Sequence, residues 1–80
     1  MTAPEILSQL QPIFRDVLDN PGLTVTMDDS ASTVEGWDSL SHISLISAVE
    51  GEFKVRFALG ELQELKNVGE LVELIGQKLP

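Results

Sequence analysis

Ser39 stands between Asp38 and Leu40, and the single histidine of the chain, His42, follows three residues later. A serine hydroxyl can act as a nucleophile, or it can be a group that another enzyme modifies. As a nucleophile it needs a base to take its proton. Residues three apart on a helix are neighbours, so Ser39 and His42 could meet. A hydrolytic site also needs an acid to orient the histidine and donors for an oxyanion. The chain has no G-x-S-x-G elbow, the turn that exposes such a serine in many hydrolases. Catalysis by a Ser39–His42 pair is therefore set aside. Modification asks less: an accessible hydroxyl on an ordered turn. Asp38 can cap a helix that begins at Ser39. Free N–H groups and the positive end of the helix dipole would favour a phosphodiester there. An Asp-Ser-Leu tripeptide alone is weak, because any capped helix can start that way.

Other chemistry is sparse. There is no cysteine, hence no disulfide and no cysteine-based zinc site. His42 lacks companion ligands, so no metal site is expected. A calcium loop beginning at Asp28 would need glycine at its sixth position and glutamate at its twelfth, and has neither. Five basic residues against thirteen acidic ones give a net charge of −8. That balance disfavours nucleic acid, which needs a basic patch to neutralise phosphates. It suits partners with basic docking surfaces, or simply keeps a small protein in solution. No signal peptide and no bilayer-spanning stretch is seen, and a cytoplasmic monomer without membrane insertion is expected.

The elements that must position Ser39 read as helices. Thr2-Ala3-Pro4-Glu5 has capping-box spacing, with Pro4 tolerated in the first turn. Ile6, Leu7, Leu10, Phe14, Val17 and Leu18 form one stripe at helical period. Pro12 interrupts the ladder and predicts a bend within one helix, which Asn20-Pro21-Gly22 ends. Residues 20–36 make a long loop, expected to be pinned by Leu23, Val25, Met27 and Val34. A second helix spans about Ser39 to Glu52 behind Asp38. Its wheel places Ile43, Leu45, Ile46, Val49 and Phe53 in the apolar arc, with Ser41, Ser44, Ser47 and Gly51 opposite. Leu40 falls outside the arc beside Ser39. His42 should be a partly buried, hydrogen-bonded histidine at the core rim, and Trp37 should pack the loop on the bundle. Lys54–Phe57 reads as an extended connector, Leu59–Leu65 as a weak third helix. Asn67-Val68-Gly69-Glu70 offers another capping box before a final helix carrying Val68, Leu71, Val72, Leu74, Ile75 and Leu79. The fold class is all-α, a small four-helix bundle in one domain over residues 1–80.

The run Gly36 to Phe53, GWDSLSHISLISAVEGEF, resembles the modification site of acyl and peptidyl carrier proteins. Lys66-Asn67-Val68-Gly69-Glu70-Leu71 also resembles the start of that family's last helix. The helix order, with a long first connection and a short third helix, extends the likeness over nearly the whole chain. The resemblance implies that Ser39 bears 4'-phosphopantetheine, with Asp38 and Leu40 flanking the attachment. It implies a carrier without catalytic activity. An acyl group would travel as a thioester on the arm between biosynthetic enzymes.

The implied partners are a phosphopantetheinyl transferase, an acyl-loading enzyme or ligase, and acyl-processing and offloading enzymes. They would dock on Leu40, Ile43, Ser44, Ser47 and Glu50. Fatty-acid carriers of the family often place acids along the exposed face of helix two. Here that face is mainly serine, with acid at Glu50 and Glu52. Docking should then depend less on charge, and a specialised fatty-acid, polyketide or related pathway is expected. Asp28, Asp29, Glu35, Glu61 and Glu64 could supply docking surface elsewhere. Two other readings stay open: an aminoacyl or peptidyl carrier, and an unmodified acidic helical interaction domain.

Overall fold

Thr2 and Glu5 close the first helix by satisfying each other. The Thr2 N–H donates to Glu5 Oε1 at 2.8 Å, and the Glu5 N–H donates to Thr2 Oγ1 at 3.3 Å. From there α1 runs over Ala3–Val17. It continues through Pro12, whose ring stands on the exposed side of the helix. Asp19, at φ 52°, turns the chain out of the helix before the expected Asn-Pro-Gly stop. The computed structural model describes residues 1–79. Pro80, the end of the domain expected over 1–80, lies outside the described residues.

Among the described residues three further helices follow: α2 Ser39–Phe53, α3 Leu59–Gln63 and α4 Val68–Lys78. The architecture is an all-α bundle without strands among these residues. Ile6, Leu10 and Phe14 of α1 meet Leu45, Ile46, Val49 and Phe53 of α2 and Val68, Leu71, Val72 and Ile75 of α4 in one core. α1 packs on both α2 and α4. Apolar burial of this kind contributes about 25 cal/mol per Å² removed from water, which is why the helical stripes rather than helix propensity hold the bundle.

The first connection belongs to that core. Val25, Val34 and Trp37 are buried in it, and Leu23 and Met27 are half-buried against it. Gln11 clamps the loop onto α1. Its amide donates to the Val25 carbonyl and accepts from the Val25 N–H, both at 2.8 Å. Arg15 Nε donates to the Leu23 carbonyl. At the other end, the Gly69 N–H donates to the Met27 carbonyl and the Val68 N–H to the Asp29 carbonyl, each at 2.8 Å. A Cβ on Gly69 would lie 3.1 Å from the Met27 oxygen, so glycine permits this close approach of backbones.

Four expectations change. Ile43 is 69% exposed and is not part of the buried arc. The turn offset that places Leu45, Ile46 and Val49 inward carries it to the open side. Lys54 is not extended but left-handed, at φ 57° and ψ 46°, and its N–H donates to the Glu50 carbonyl as the C-cap of α2. The third helix ends at Gln63, short of Leu65, with Glu64 as its cap. The second capping box is only half made. Asn67 Oδ1 accepts from the Glu70 N–H at 2.8 Å, but the Glu70 carboxylate reaches the Lys66 N–H instead of that of Asn67.

Candidate functional site

Ser39 is the first residue of α2 and is exposed. Asp38 prepares its position. One carboxylate oxygen, Oδ1, accepts from the Leu40 N–H at 3.0 Å and the Ser41 N–H at 2.9 Å. Ser41 reciprocates: its Oγ accepts from the Asp38 N–H at 2.8 Å and donates to the Gly36 carbonyl at 2.8 Å. Gly36 supports this turn at φ 87°, a left-handed conformation that side chains disfavour. The Ser41 N–H, and with it that of Leu40, holds the Asp38 carboxyl below its ordinary range. Two of the orphan donors of the helix start are thus taken. Among the described residues the Ser39 N–H has no hydrogen-bond partner.

Leu40 and Ile43 flank the serine, 78% and 69% exposed. Ser44 and Ser47 continue that open face, as expected. Glu50 does not face solvent freely. It is half-buried, and its carboxylate accepts from the Phe57 N–H at 2.9 Å. Two of the other acids named from sequence also have internal duties. Asp29 accepts from the Thr26 N–H and the Thr33 hydroxyl, and Glu61 accepts from the Ala58 N–H and pairs with Lys78 at 2.9 Å.

Trp37 lines the same cleft as the serine. It is 8% exposed and stands edge-on to Phe14, with centroids 5.2 Å apart at 78°. Its indole N–H donates to His42 Nδ1 at 3.1 Å. So the histidine is half-buried and hydrogen-bonded, and Trp37 joins loop to bundle. Ser39 and His42 are one helical turn apart, but no hydrogen bond joins them among the described residues. Among the described residues no acid accepts a hydrogen bond from the imidazole either. Among the described residues no group of side chains is arranged to hold a metal ion.

An open cleft of about 1040 Å³ lies between α2 and α3, with Ser39 and His42 at its rim and Ile46, Phe57, Leu59 and Leu62 among its walls. Sequence reasoning missed Phe57 and Leu59 as walls of this cleft, reading them only as parts of an extended connector and a weak third helix. Their signal was weak: an extended run and a five-residue helix with no buried residue. An exposed hydroxyl on a fixed turn beside an apolar trough can present a tethered group and give it partial shelter. It cannot by itself break a bond.

Comparisons with known proteins agree with this geometry. The family model described as "Phosphopantetheine attachment site" matches residues 8–75. The chain is similar to the acyl carrier protein of Petrotoga mobilis, at 34% identity over 99% of this chain and 93% of that one. It is also similar to the acyl carrier protein of Cyanidium caldarium, at 32% identity over 99% of this chain and 92% of that one. Among solved structures, the solution structure of holo acyl carrier protein from Geobacter metallireducens matches with a TM-score of 0.85. The identity to it is 49%, over 91% of this chain and 84% of that one.

Proposed function

We propose that this chain, which belongs to the phosphopantetheine attachment-site family and is an acyl carrier protein rather than an enzyme, carries its arm on Ser39. The observation that carries the assignment is the exposed Ser39 hydroxyl on a turn held by Asp38, Ser41 and Gly36.

The 4'-phosphopantetheine group of the family supplies a terminal thiol that holds the acyl group as a thioester. The residues around Ser39 fit such a group. Its hydroxyl is exposed, its own N–H is unpaired among the described residues, and the adjoining cleft is open and largely apolar. The Asp38 carboxylate is turned to the Leu40 and Ser41 N–H groups. This keeps the helix start ordered for an incoming transferase. Leu40 and Ile43, with Ser44 and Ser47 beside them, form the docking face for that transferase and for the loading, processing and offloading enzymes. Glu50 is a lesser part of it, because its carboxylate is already bound to the Phe57 N–H. A small, weakly charged face of this kind suits brief hand-offs between partners.

Residues 1–80 act as one carrier domain and as a monomer. No described helix is long and apolar enough to cross a membrane, and the cysteine-free sequence suits work in the cytoplasm. The serine-lined face of α2 favours a specialised acyl pathway over bulk fatty-acid synthesis.

The test is intact mass after incubation with coenzyme A, magnesium and a broad-specificity phosphopantetheinyl transferase. A gain of one phosphopantetheine unit is expected. Ser39→Ala should abolish the gain and leave the helical signal unchanged. An unmodified interaction domain would gain nothing in either form.

A further inference from the structure

This inference rests on Ser39 as the attachment residue. Trp37 donates its indole N–H to His42 Nδ1 at 3.1 Å. An indole nitrogen can only donate, so Nδ1 must present a lone pair. A neutral imidazole in that position carries its proton on Nε2. The ring is also held in direction. Trp37 is buried edge-on against Phe14, and its plane lies within 22° of the imidazole, with centroids 6.0 Å apart. A fixed indole therefore sets both the tautomer and the orientation of the histidine.

The core does not use the proton thus placed on Nε2. Among the described residues Nε2 has no hydrogen-bond partner, and His42 lines the cleft together with Ser39. Residues three apart on a helix have Cβ atoms about 5–6 Å apart. A directed donor thus stands within one helical turn of the Ser39 hydroxyl.

We infer that His42 is a positioning residue for the arm: its Nε2–H donates to an oxygen of the phosphodiester on Ser39 and holds the root of the arm at the cleft mouth. The phosphodiester is the acceptor nearest the attachment oxygen. It is anionic, which makes the hydrogen bond shorter and stronger than one to an amide carbonyl farther along. Trp37 acts through His42, by keeping the acceptor nitrogen inward and the donor nitrogen outward.

The experiment uses the full chain loaded from coenzyme A, with the added mass first located on Ser39. Histidine ¹⁵N spectra at neutral pH should show the Nε2–H form before and after loading. In the loaded protein, cross-relaxation is expected between the His42 ring protons and the arm methylene next to phosphorus. His42→Asn keeps an acceptor for Trp37, but its amide N–H groups lie at the Cδ2 position of the ring, short of where Nε2 stands. It should displace the ³¹P resonance of the arm by more than its line width, while amide resonances far from the site stay in place. Trp37→Phe should give mixed tautomers and a smaller displacement. Gln9→Ala, at an exposed position of α1 outside the cleft, should leave the ³¹P resonance unmoved. Should His42→Asn unfold, the tautomer and cross-peaks of the unaltered chain still decide. An Nδ1–H form, absence of cross-peaks, or identical ³¹P resonances in the original chain and His42→Asn would overturn the inference while leaving Ser39 as the attachment residue. No mass gain on Ser39 would overturn both.

Discussion

The segments before and after α2 are held to different degrees. The one before it, residues 18–38, has no regular helix, yet Val25, Val34 and Trp37 are buried and its backbone is tied to both α1 and α4. The one after it includes a regular helix, α3, that buries no residue and leaves Leu59 72% exposed. It is attached by buried Val55, by Phe57, Leu62 and Leu65 half-buried against the core, by Glu50 to the Phe57 N–H, by the Glu61–Lys78 ion pair, and by Lys78 lying 5.8 Å from the Phe57 ring centre. Secondary structure is therefore a poor guide to rigidity in this molecule. Burial and paired backbone groups are the better guide. The irregular segment fixes the turn that bears Ser39, and the regular one forms the lightly tethered wall of the cleft. With the arm on Ser39, as proposed, the attachment point stands on the better-held side of the cleft.

The sharpest way to break the contrast is to empty the framework side. Trp37→Ala removes a buried ring from Phe14 and His42, and should cost about 3–5 kcal/mol in urea unfolding. A loss below about 1 kcal/mol would mean the loop is not an integral part of the core. Gln11→Ala comes next. It strands the Val25 N–H and carbonyl together and should cost about 1–3 kcal/mol. Hydrogen exchange at Val25 should accelerate with it, while α3 amides keep their rates.

Acid probes the same framework by another route. Hydrogen bonds hold the carboxyls of Glu5, Asp29, Asp38 and Glu61 below their ordinary values, chiefly from the N–H groups of Thr2, Thr26, Ser41 and Ala58. A folded-state value below the unfolded one gives stability that is present above the unfolded value, about pH 4. That stability is lost as pH falls through the folded value. Stability should be flat near neutrality and decline below about pH 4. Asp38→Asn keeps a side-chain acceptor for the helix start but removes the titration. It should lower stability at neutral pH by the contribution that Asp38 loses on protonation, and the two proteins should converge below about pH 4, as followed by circular dichroism across pH.

The smallest effect belongs to the wall. Leu59→Ala should change stability by no more than about 0.5 kcal/mol, as at other exposed positions. A loss of 2 kcal/mol or more would show α3 to be an integral part of the fold, on the scale of a buried leucine, and would erase the contrast.

The sequence made the turn at Ser39 legible because its determinants are local. Asp38 caps within three residues, and the stripes of α1 and α4 repeat at the helical period. The role of Trp37 was legible too, since a lone large aromatic before a capped helix has few places to go. What stayed hidden depends on contacts across the chain. Gln11 bonds to Val25 and Glu50 to Phe57, and no periodicity encodes a side chain that serves a distant backbone. Ile43 was misplaced for a related reason. Apolar residues occur on both sides of α2, so its wheel does not separate the core face from the face at Leu40 and Ile43. The exposed pair breaks the simple stripe at the place where partners are proposed to dock.

The most direct measurement is peptide mapping of the loaded protein by tandem mass spectrometry. The added mass should fall entirely on Ser39, and none on Ser30, Ser32, Ser41, Ser44 or Ser47. Modification at any of those serines, or no stable modification with the protein shown to be folded, would contradict the assignment of Ser39 as the carrier residue.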